Sequence, residues 1–173
     1  MTQTTLVVDV VELRRRPGTR RDVGAELRLP DLQTGERSVV GGALIVDATV
    51  ESVMEGVVAE GTVAGVSRSP CRRCLDDVDE TFSVSFREIF ERNPTEGETW
   101  LLDDDRIDLT PVVRELALLA LPLVPLCRED CEGPDATRFP TGTAEDDEAD
   151  SDEAAGPPRD ERWAALDALT FDD

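Results

Sequence analysis

Apolar and polar residues alternate over two long stretches within the first 90 positions. A period of two residues places every second side chain on one face of a strand. In residues 43–66 the apolar face consists of Leu44, Val46, Ala48 and Val50. In residues 81–90, TFSVSFREIF, it consists of Phe82, Val84 and Phe86. Glu55-Gly56 is a plausible turn, so the pattern predicts mainly antiparallel sheet up to residue 90.

One helical pattern follows, in IDLTPVVRELALLALPLVP at residues 107–125. Asp108 or Thr110 can cap its first turn, and Pro111 fits the first helical position. Its apolar stripe consists of Val112, Val113, Leu116, Leu119 and Ala120, widened by Leu118 and Leu121. Such a broad stripe predicts a helix buried on the sheet and ending at Pro122. The predicted fold class is therefore α+β: mainly antiparallel β-sheet with one buried helix.

The composition changes abruptly after Gly133. Residues 134–160 are rich in proline, glycine, serine, threonine and acids, and they contain too few large apolar groups to offset the entropy of ordering. We predict a disordered acidic linker here. ERWAALDALTF then spaces Trp163, Leu166 and Leu169 three residues apart, which predicts a short amphipathic helix. The predicted organisation is a domain at 1–133, a disordered acidic C-terminal tail with its linker at 134–160, and a terminal helix at 161–173.

The formal net charge of -21 is spread over both the domain and the tail. A field of this sign repels phosphate backbones, so broad binding to nucleic acid is disfavoured. One cationic cluster could still contact RNA or a partner, and it consists of Arg14, Arg15, Arg16, Arg20 and Arg21. The alternative is a solvated or internally ion-paired turn.

No basic segment precedes an apolar run at the start, and no uncharged apolar stretch reaches about 20 residues. We therefore expect a cytoplasmic protein with no membrane partner. Stable disulfides are uncommon in that reducing compartment, and paired cysteines there point more often to metal or redox chemistry.

The chain has four cysteines, in CRRC (Cys71 and Cys74) and CREDC (Cys127 and Cys131). Four thiolates from two separate loops form a closed structural zinc site, so we predict that folding brings the pairs together around zinc. The adjacent arginines would lower the thiol pKa values. Three alternatives stay open: ordinary buried thiols, a regulatory disulfide, and a thioredoxin-type redox pair, although that motif opens a helix and a strand pattern follows here.

Histidine is absent, which removes the commonest nucleophilic and acid–base arrangements. We expect no enzymatic activity and no small-molecule substrate. The acidic run DDDRID at residues 103–108 could gather magnesium for an RNA-processing nuclease, although charge runs in loops are usually solvated.

Three segments together resemble the YceD family of large ribosomal RNA subunit accumulation proteins. They are VVELRRRPGT near the start, CRRCLDDVDETFSVSF, and IDLTPVVRELALLALPLVPLCREDCEG, and the terminal ERWAALDAL adds to the match. By this resemblance the four cysteines occupy the family's motif positions, and the helical motif contains Asp108, Glu115, Leu121 and Pro122. Many Gram-positive relatives continue with GLCxxCG, where this chain has EGPDATRFPTG. Either the four thiols form a complete site, or the site has decayed.

The resemblance implies a bacterial cytoplasmic accessory protein that supports accumulation or maturation of the large-subunit ribosomal RNA without catalysis. Its expected partner is a ribosomal protein, the RNA precursor, or both. The acidic charge favours a basic ribosomal protein, with the arginine cluster touching RNA locally. The alternative function is a thiol-based redox-responsive regulatory protein.

Overall fold

The computed structural model describes residues 3–54 and 56–135. Its strands are β1 (Val7–Asp9), β2 (Arg20–Arg28), β3 (Gln33–Thr34), β4 (Arg37–Val53), β5 (Gly56–Pro70), β6 (Asp77–Glu91), β7 (Trp100–Asp103) and β8 (Arg106–Asp108). Its helices are α1 (Val11–Arg15) and α2 (Thr110–Leu119). The three longest strands, β4 to β6, form the centre of one eight-stranded sheet with the order β1-β8-β7-β6-β5-β4-β2, and β3 pairs with β4.

The predicted fold class is wrong in two respects. The described part of the chain is mostly β, with 52% of its residues in strands and 11% in two helices. The sheet is also mixed, because β6 and β7 run parallel and pair Phe90 with Trp100. Residues 92–99 loop out and return to the level of Phe90, so β7 continues in the direction of β6. Alternation along single strands does not reveal strand direction, which explains why the sequence did not indicate this pairing.

The N-terminal segment forms one edge of the sheet and contacts the other. β1 pairs with β8, and Gln3 pairs with Leu27 of β2 in a parallel bridge. The Gln3 backbone N–H donates to the Glu26 carbonyl over 3.0 Å, and its carbonyl accepts from the Arg28 N–H over 2.8 Å. Residues 3–9 therefore connect the two edge strands, and the sheet curls around its buried face.

The predicted apolar face of β4 is confirmed. Its four members, Leu44, Val46, Ala48 and Val50, are all buried. Above them α2 buries Val112, Val113 and Ala117. Burying an aliphatic or aromatic side chain of this size contributes roughly 1.5–3 kcal/mol relative to leaving it in water. This shared core fixes α2 against β4 and β5.

Two residues of the predicted helical stripe, Leu119 and Ala120, are not in the core. Leu119 is 75% exposed. The buried face of α2 is centred on Val113 and Ala117, and six residues from Val113 carry Leu119 about 240° around the helix axis. The end of α2 therefore presents an apolar side chain to solvent.

Residues Met1–Pro134 form one compact unit. The predicted linker at 134–160 lies almost wholly outside the described residues, and the predicted terminal helix at 161–173 lies wholly outside them. Both stay predictions. Neither helix in the described part of the chain is long and apolar enough to cross a membrane.

Candidate metal centre

The first cysteine pair lies in the tight loop between β5 and β6. The backbone N–H of Cys71 donates to the Asp76 carbonyl over 2.8 Å, and that of Leu75 donates to the Cys71 carbonyl over 3.0 Å. Leu75 has a φ of 67°, in the left-handed region that residues with a Cβ seldom adopt. The loop thereby turns the Cys71 and Cys74 thiols toward the same side.

The second pair lies in the segment that follows α2, and arginines from the first loop hold it there. Arg73 Nη1 donates to the carbonyls of Glu129 and Cys131, over 3.0 and 2.8 Å. The backbone N–H of Arg72 donates to the Pro125 carbonyl over 2.9 Å, and its Nε donates to the Leu123 carbonyl over 3.3 Å. Sequence reasoning missed this positioning role. The signal for it was the placement of two long donors between the cysteines of CRRC.

All four thiols meet in one group. Their sulfur atoms lie within 4.8 Å of one another. Cys71 Sγ is 3.9 Å from Cys131 Sγ, and Cys74 Sγ is 3.6 Å from Cys127 Sγ, so each close pair joins the two loops. Cys71 and Cys131 are buried, Cys74 is half-buried and Cys127 is exposed. The predicted convergence of Cys71, Cys74, Cys127 and Cys131 is present.

The arrangement of these thiols fits a metal ion. In a tetrahedral site with metal–sulfur bonds of about 2.3 Å, neighbouring sulfurs lie about 3.8 Å apart. The two close sulfur–sulfur separations, 3.6 and 3.9 Å, bracket that value. The four cysteines can therefore hold a metal ion, and the identity of zinc stays a prediction.

Proton affinities differ sharply within the group. Backbone N–H groups of Cys74, Cys127 and Arg73 point at the Cys71 sulfur and lower the pKa of this thiol to about 6. The backbone N–H of Asp76 lowers the pKa of Cys74, but loss of hydration and the three neighbouring sulfurs raise it further, to about 12. The neighbouring Cys131 sulfur raises the pKa of Cys127. Main-chain donors, rather than the predicted guanidinium groups, favour the Cys71 thiolate.

The predicted arginine cluster is largely engaged with acids and carbonyls. Arg14 forms an ion pair with Asp105, Arg15 with Glu12 over 3.2 Å, and Arg20 with Glu51 over 2.9 Å. Arg21 Nη1 donates to the Asp9 carbonyl over 3.0 Å, and Arg16 is exposed. A contact of this cluster with RNA or a partner stays a prediction.

The acidic run at residues 103–108 covers the last residue of β7, a two-residue turn and the whole of β8. Asp104 has a φ of 51° in this turn, and Asp105 pairs with Arg14. Among the described residues, the cysteines form the one group of three or more side chains placed to hold a metal ion. The geometry therefore gives no support to a magnesium-dependent nuclease site at this turn.

Comparison with known proteins supplies the family. The model of the family described as large ribosomal RNA subunit accumulation protein YceD matches residues 59–170. An uncharacterized protein of Mycobacterium tuberculosis is 34% identical over 137 residues, which cover 74% of this chain and 66% of that protein. One of Mycobacterium leprae is 32% identical over 139 residues, 74% of this chain and 63% of that protein. The uncharacterized protein YlbN of Bacillus subtilis is 35% identical over 75 residues, 41% of this chain and 44% of that protein.

The chain spans about two thirds, or less, of the length of these curated relatives. No solved structure matches it. The family match covers more than half of the chain, including all four motif cysteines, two of them in the β5–β6 loop and two after α2. The resemblance seen in the sequence is thus confirmed, and the chain belongs to the YceD family.

Proposed function

We propose that the protein is a non-enzymatic accessory factor that supports accumulation or maturation of the large-subunit ribosomal RNA. The observation that carries this proposal is the family match over residues 59–170. The cysteine group is compatible with it, because a site with four protein thiolates leaves no open position for substrate and serves to brace a fold. The protein would act in the cytoplasm by binding its partners, without catalysing a reaction.

Charge favours a ribosomal protein as the direct partner. The chain carries a net charge of -21, and a polyanion approaching it is repelled whereas a basic protein is attracted. Three of the five clustered arginines are paired with carboxylates, which reduces the positive field that they offer to phosphates. Contact of the arginine cluster with the RNA precursor would then be local and would contribute less to binding.

A depletion experiment tests the function. Cells lacking the protein should contain less large-subunit ribosomal RNA relative to small-subunit RNA, and the tagged protein should sediment with large-subunit precursors. Restoring the wild-type gene should restore the ratio. An unchanged RNA ratio together with sedimentation only as free protein would contradict the proposal.

Structural zinc is the proposed cofactor, held by Cys71, Cys74, Cys127 and Cys131. Purified, reduced protein should contain one zinc per chain by mass spectrometric metal analysis. Cys71→Ser and Cys131→Ser should lose it, because both positions are buried and central to the group. Met54→Ser is a matched control, since it removes a fully exposed sulfur away from the two loops. Zinc-free wild-type protein with an unchanged fold would rule out the cofactor.

A redox-responsive regulator is the second candidate, favoured by the lowered pKa of Cys71, about 6. This function needs thiols that react quickly with oxidants. Alkylation of the protein as purified should separate the candidates. Slow alkylation that becomes fast after chelation supports the zinc brace, whereas fast alkylation with no zinc present supports the regulator.

A further inference from the structure

A groove outside the cysteine group lies between α2, the end of β6 and the loop before β7. Its volume is about 390 Å³, which is within the range of ordinary ligand pockets. The side chains that matter for its chemistry are Glu88, Glu98, Trp100, Glu115, Leu116 and Leu119. They are called the glutamate groove below.

The floor of the glutamate groove is apolar and accessible. Leu116 is half-buried, and Leu119 is 75% exposed at the end of α2. Trp100 is half-buried, and its Nε1 donates to Glu88 Oε2 over 2.8 Å. This bond holds the indole in place and leaves it available to contact an occupant. An exposed leucine beside a fixed tryptophan resembles the core of a protein interface, where aromatic anchors dominate the binding energy.

The rim carries charge of one sign. Three carboxylates line the groove, and no arginine lines it. Among the ion pairs formed by the described residues, none involves Glu88, Glu98 or Glu115. Elsewhere on the sheet glutamates do pair with arginines, as Glu60 does with Arg87. The groove therefore combines an apolar floor with carboxylates that form no ion pair with any described residue.

We infer that the glutamate groove binds a lysine- and arginine-rich amphipathic segment of a protein partner. Apolar side chains of the segment would cover Leu116 and Leu119, and its cations would pair with Glu98 and Glu115. An arginine could also stack on the Trp100 ring. RNA does not fit, because its phosphates would face three carboxylates. The inference rests on the proposed function, since it assigns the surface through which a basic ribosomal protein would be held.

Crosslinking tests the inference in the full chain. A photoreactive benzophenone side chain is introduced at Leu119, and in a second protein at Ile45, a control position 58% exposed on β4. Both proteins are irradiated with the protein and RNA of salt-dissociated large ribosomal subunits. Position 119 should crosslink at least tenfold more than position 45, and the captured peptide should be rich in lysine and arginine.

The other possible outcomes contradict the groove assignment, the proposed function, or both. Equal crosslinking at both positions, or capture of RNA or of an acidic peptide at position 119, overturns the groove assignment while leaving the proposed function intact. Absence of any crosslink at either position overturns the groove assignment, whereas the proposed function is overturned separately, by an unchanged RNA ratio in depleted cells together with sedimentation only as free protein.

Affinity measurements add a second readout with the captured peptide. Trp163→Phe leaves Trp100 as the single tryptophan of the chain, so its fluorescence reports occupancy of the groove. The double variant Glu98→Gln/Glu115→Gln should bind about tenfold more weakly at low salt and lose most of the salt dependence. Glu26→Gln, an exposed carboxylate on β2, is the matched control. Equal affinities for the double variant and the control would overturn the inference.

Discussion

Arg73 is the residue through which the two cysteine loops contact each other most directly. Its guanidinium donates to two carbonyls of the second loop, one of them belonging to Cys131. Groups that orient metal ligands typically change metal affinity by about 10–100-fold when they are removed. Arg73 is therefore a positioning residue for the candidate metal centre.

Arg73→Gln should weaken zinc binding about tenfold, because a shorter amide cannot hold both carbonyls. Competition with a chromophoric chelator measures the affinity. Arg128→Gln is the control, since Arg128 lies in the same segment but pairs only with exposed Asp130. Equal zinc affinities of these two variants would show that Arg73 does not position the site.

Gly61 marks a close approach between two strands of the sheet centre. A Cβ at this position would collide with the Asp47 carbonyl oxygen and lie 2.6 Å from Ala48 Cα. Both contacts are with β4 backbone, which cannot move without disturbing the ladder. Gly24 offers a contrast, because a Cβ there would meet only Asp47 Oδ1 at 3.6 Å.

Gly61→Ala should lower the free energy of unfolding by about 1–3 kcal/mol through this overlap. Gly24→Ala should have a small effect, because no backbone atom is displaced. Urea denaturation followed by circular dichroism measures both. Comparable stabilities for the two variants would mean that β5 can shift away from β4.

At the scale of elements, hydrogen bonds to the preceding segments hold the first residue of α2. Asp108 accepts a hydrogen bond from the Thr110 backbone N–H over 2.8 Å, and the Thr110 hydroxyl accepts one from the Leu6 N–H, also over 2.8 Å. The N-cap position is held by Leu109, which makes no side-chain capping bond, and of the two predicted capping residues Asp108 accepts from a helix N–H whereas Thr110 does not. Thr110 links the helix to the N-terminal segment, a contact between residues 104 positions apart that sequence spacing does not indicate.

Asp108→Ala should lower the free energy of unfolding by about 1 kcal/mol, because an orphaned N–H at the helix start loses its acceptor. Asp108→Asn should lower the free energy of unfolding much less, since the amide oxygen can still accept the hydrogen bond from the Thr110 N–H. Thermal unfolding of both variants gives the comparison. If Asp108→Asn lowered the free energy of unfolding as much as Asp108→Ala, the negative charge of Asp108 and not its hydrogen bond would be responsible.

Strands were more predictable from the sequence than their arrangement. Leu44 to Val50 alternate because one face of β4 is buried, so the pattern records the burial directly. The five residues of α1 are too few for a helical period, and their arginines resembled a solvated turn. Convergence of the cysteine pairs could be predicted from ligand chemistry, whereas the arginine contacts and the exposure of Leu119 depend on tertiary packing.

At the scale of the whole molecule, the candidate metal centre joins the β5–β6 loop to the segment after α2. A metal that binds only the folded chain stabilises it by about 2.7 kcal/mol at a hundred times its dissociation constant. The effect depends on pH, because thiols must lose protons before they bind metal. The pKa of Cys74 is raised to about 12, so this thiol resists losing its proton.

Zinc should raise the melting temperature of the reduced wild-type protein at pH 7.5, and this increase should shrink as the pH falls toward 5.5. Scanning fluorimetry with and without a chelator measures both values. The Cys71→Ser variant should show no response at either pH. An increase in melting temperature that is equal at both pH values would indicate metal bound through groups other than these thiols.

The N-terminal segment has a consequence for handling the protein. Residues 3–9 hydrogen bond to β2 at one side and β8 at the other. Deleting them would uncover main-chain donors and acceptors along two strands, and uncovered strands recruit other chains into aggregates. We expect such a truncation to form oligomers or fibrils at concentrations where the full chain stays monodisperse in light scattering.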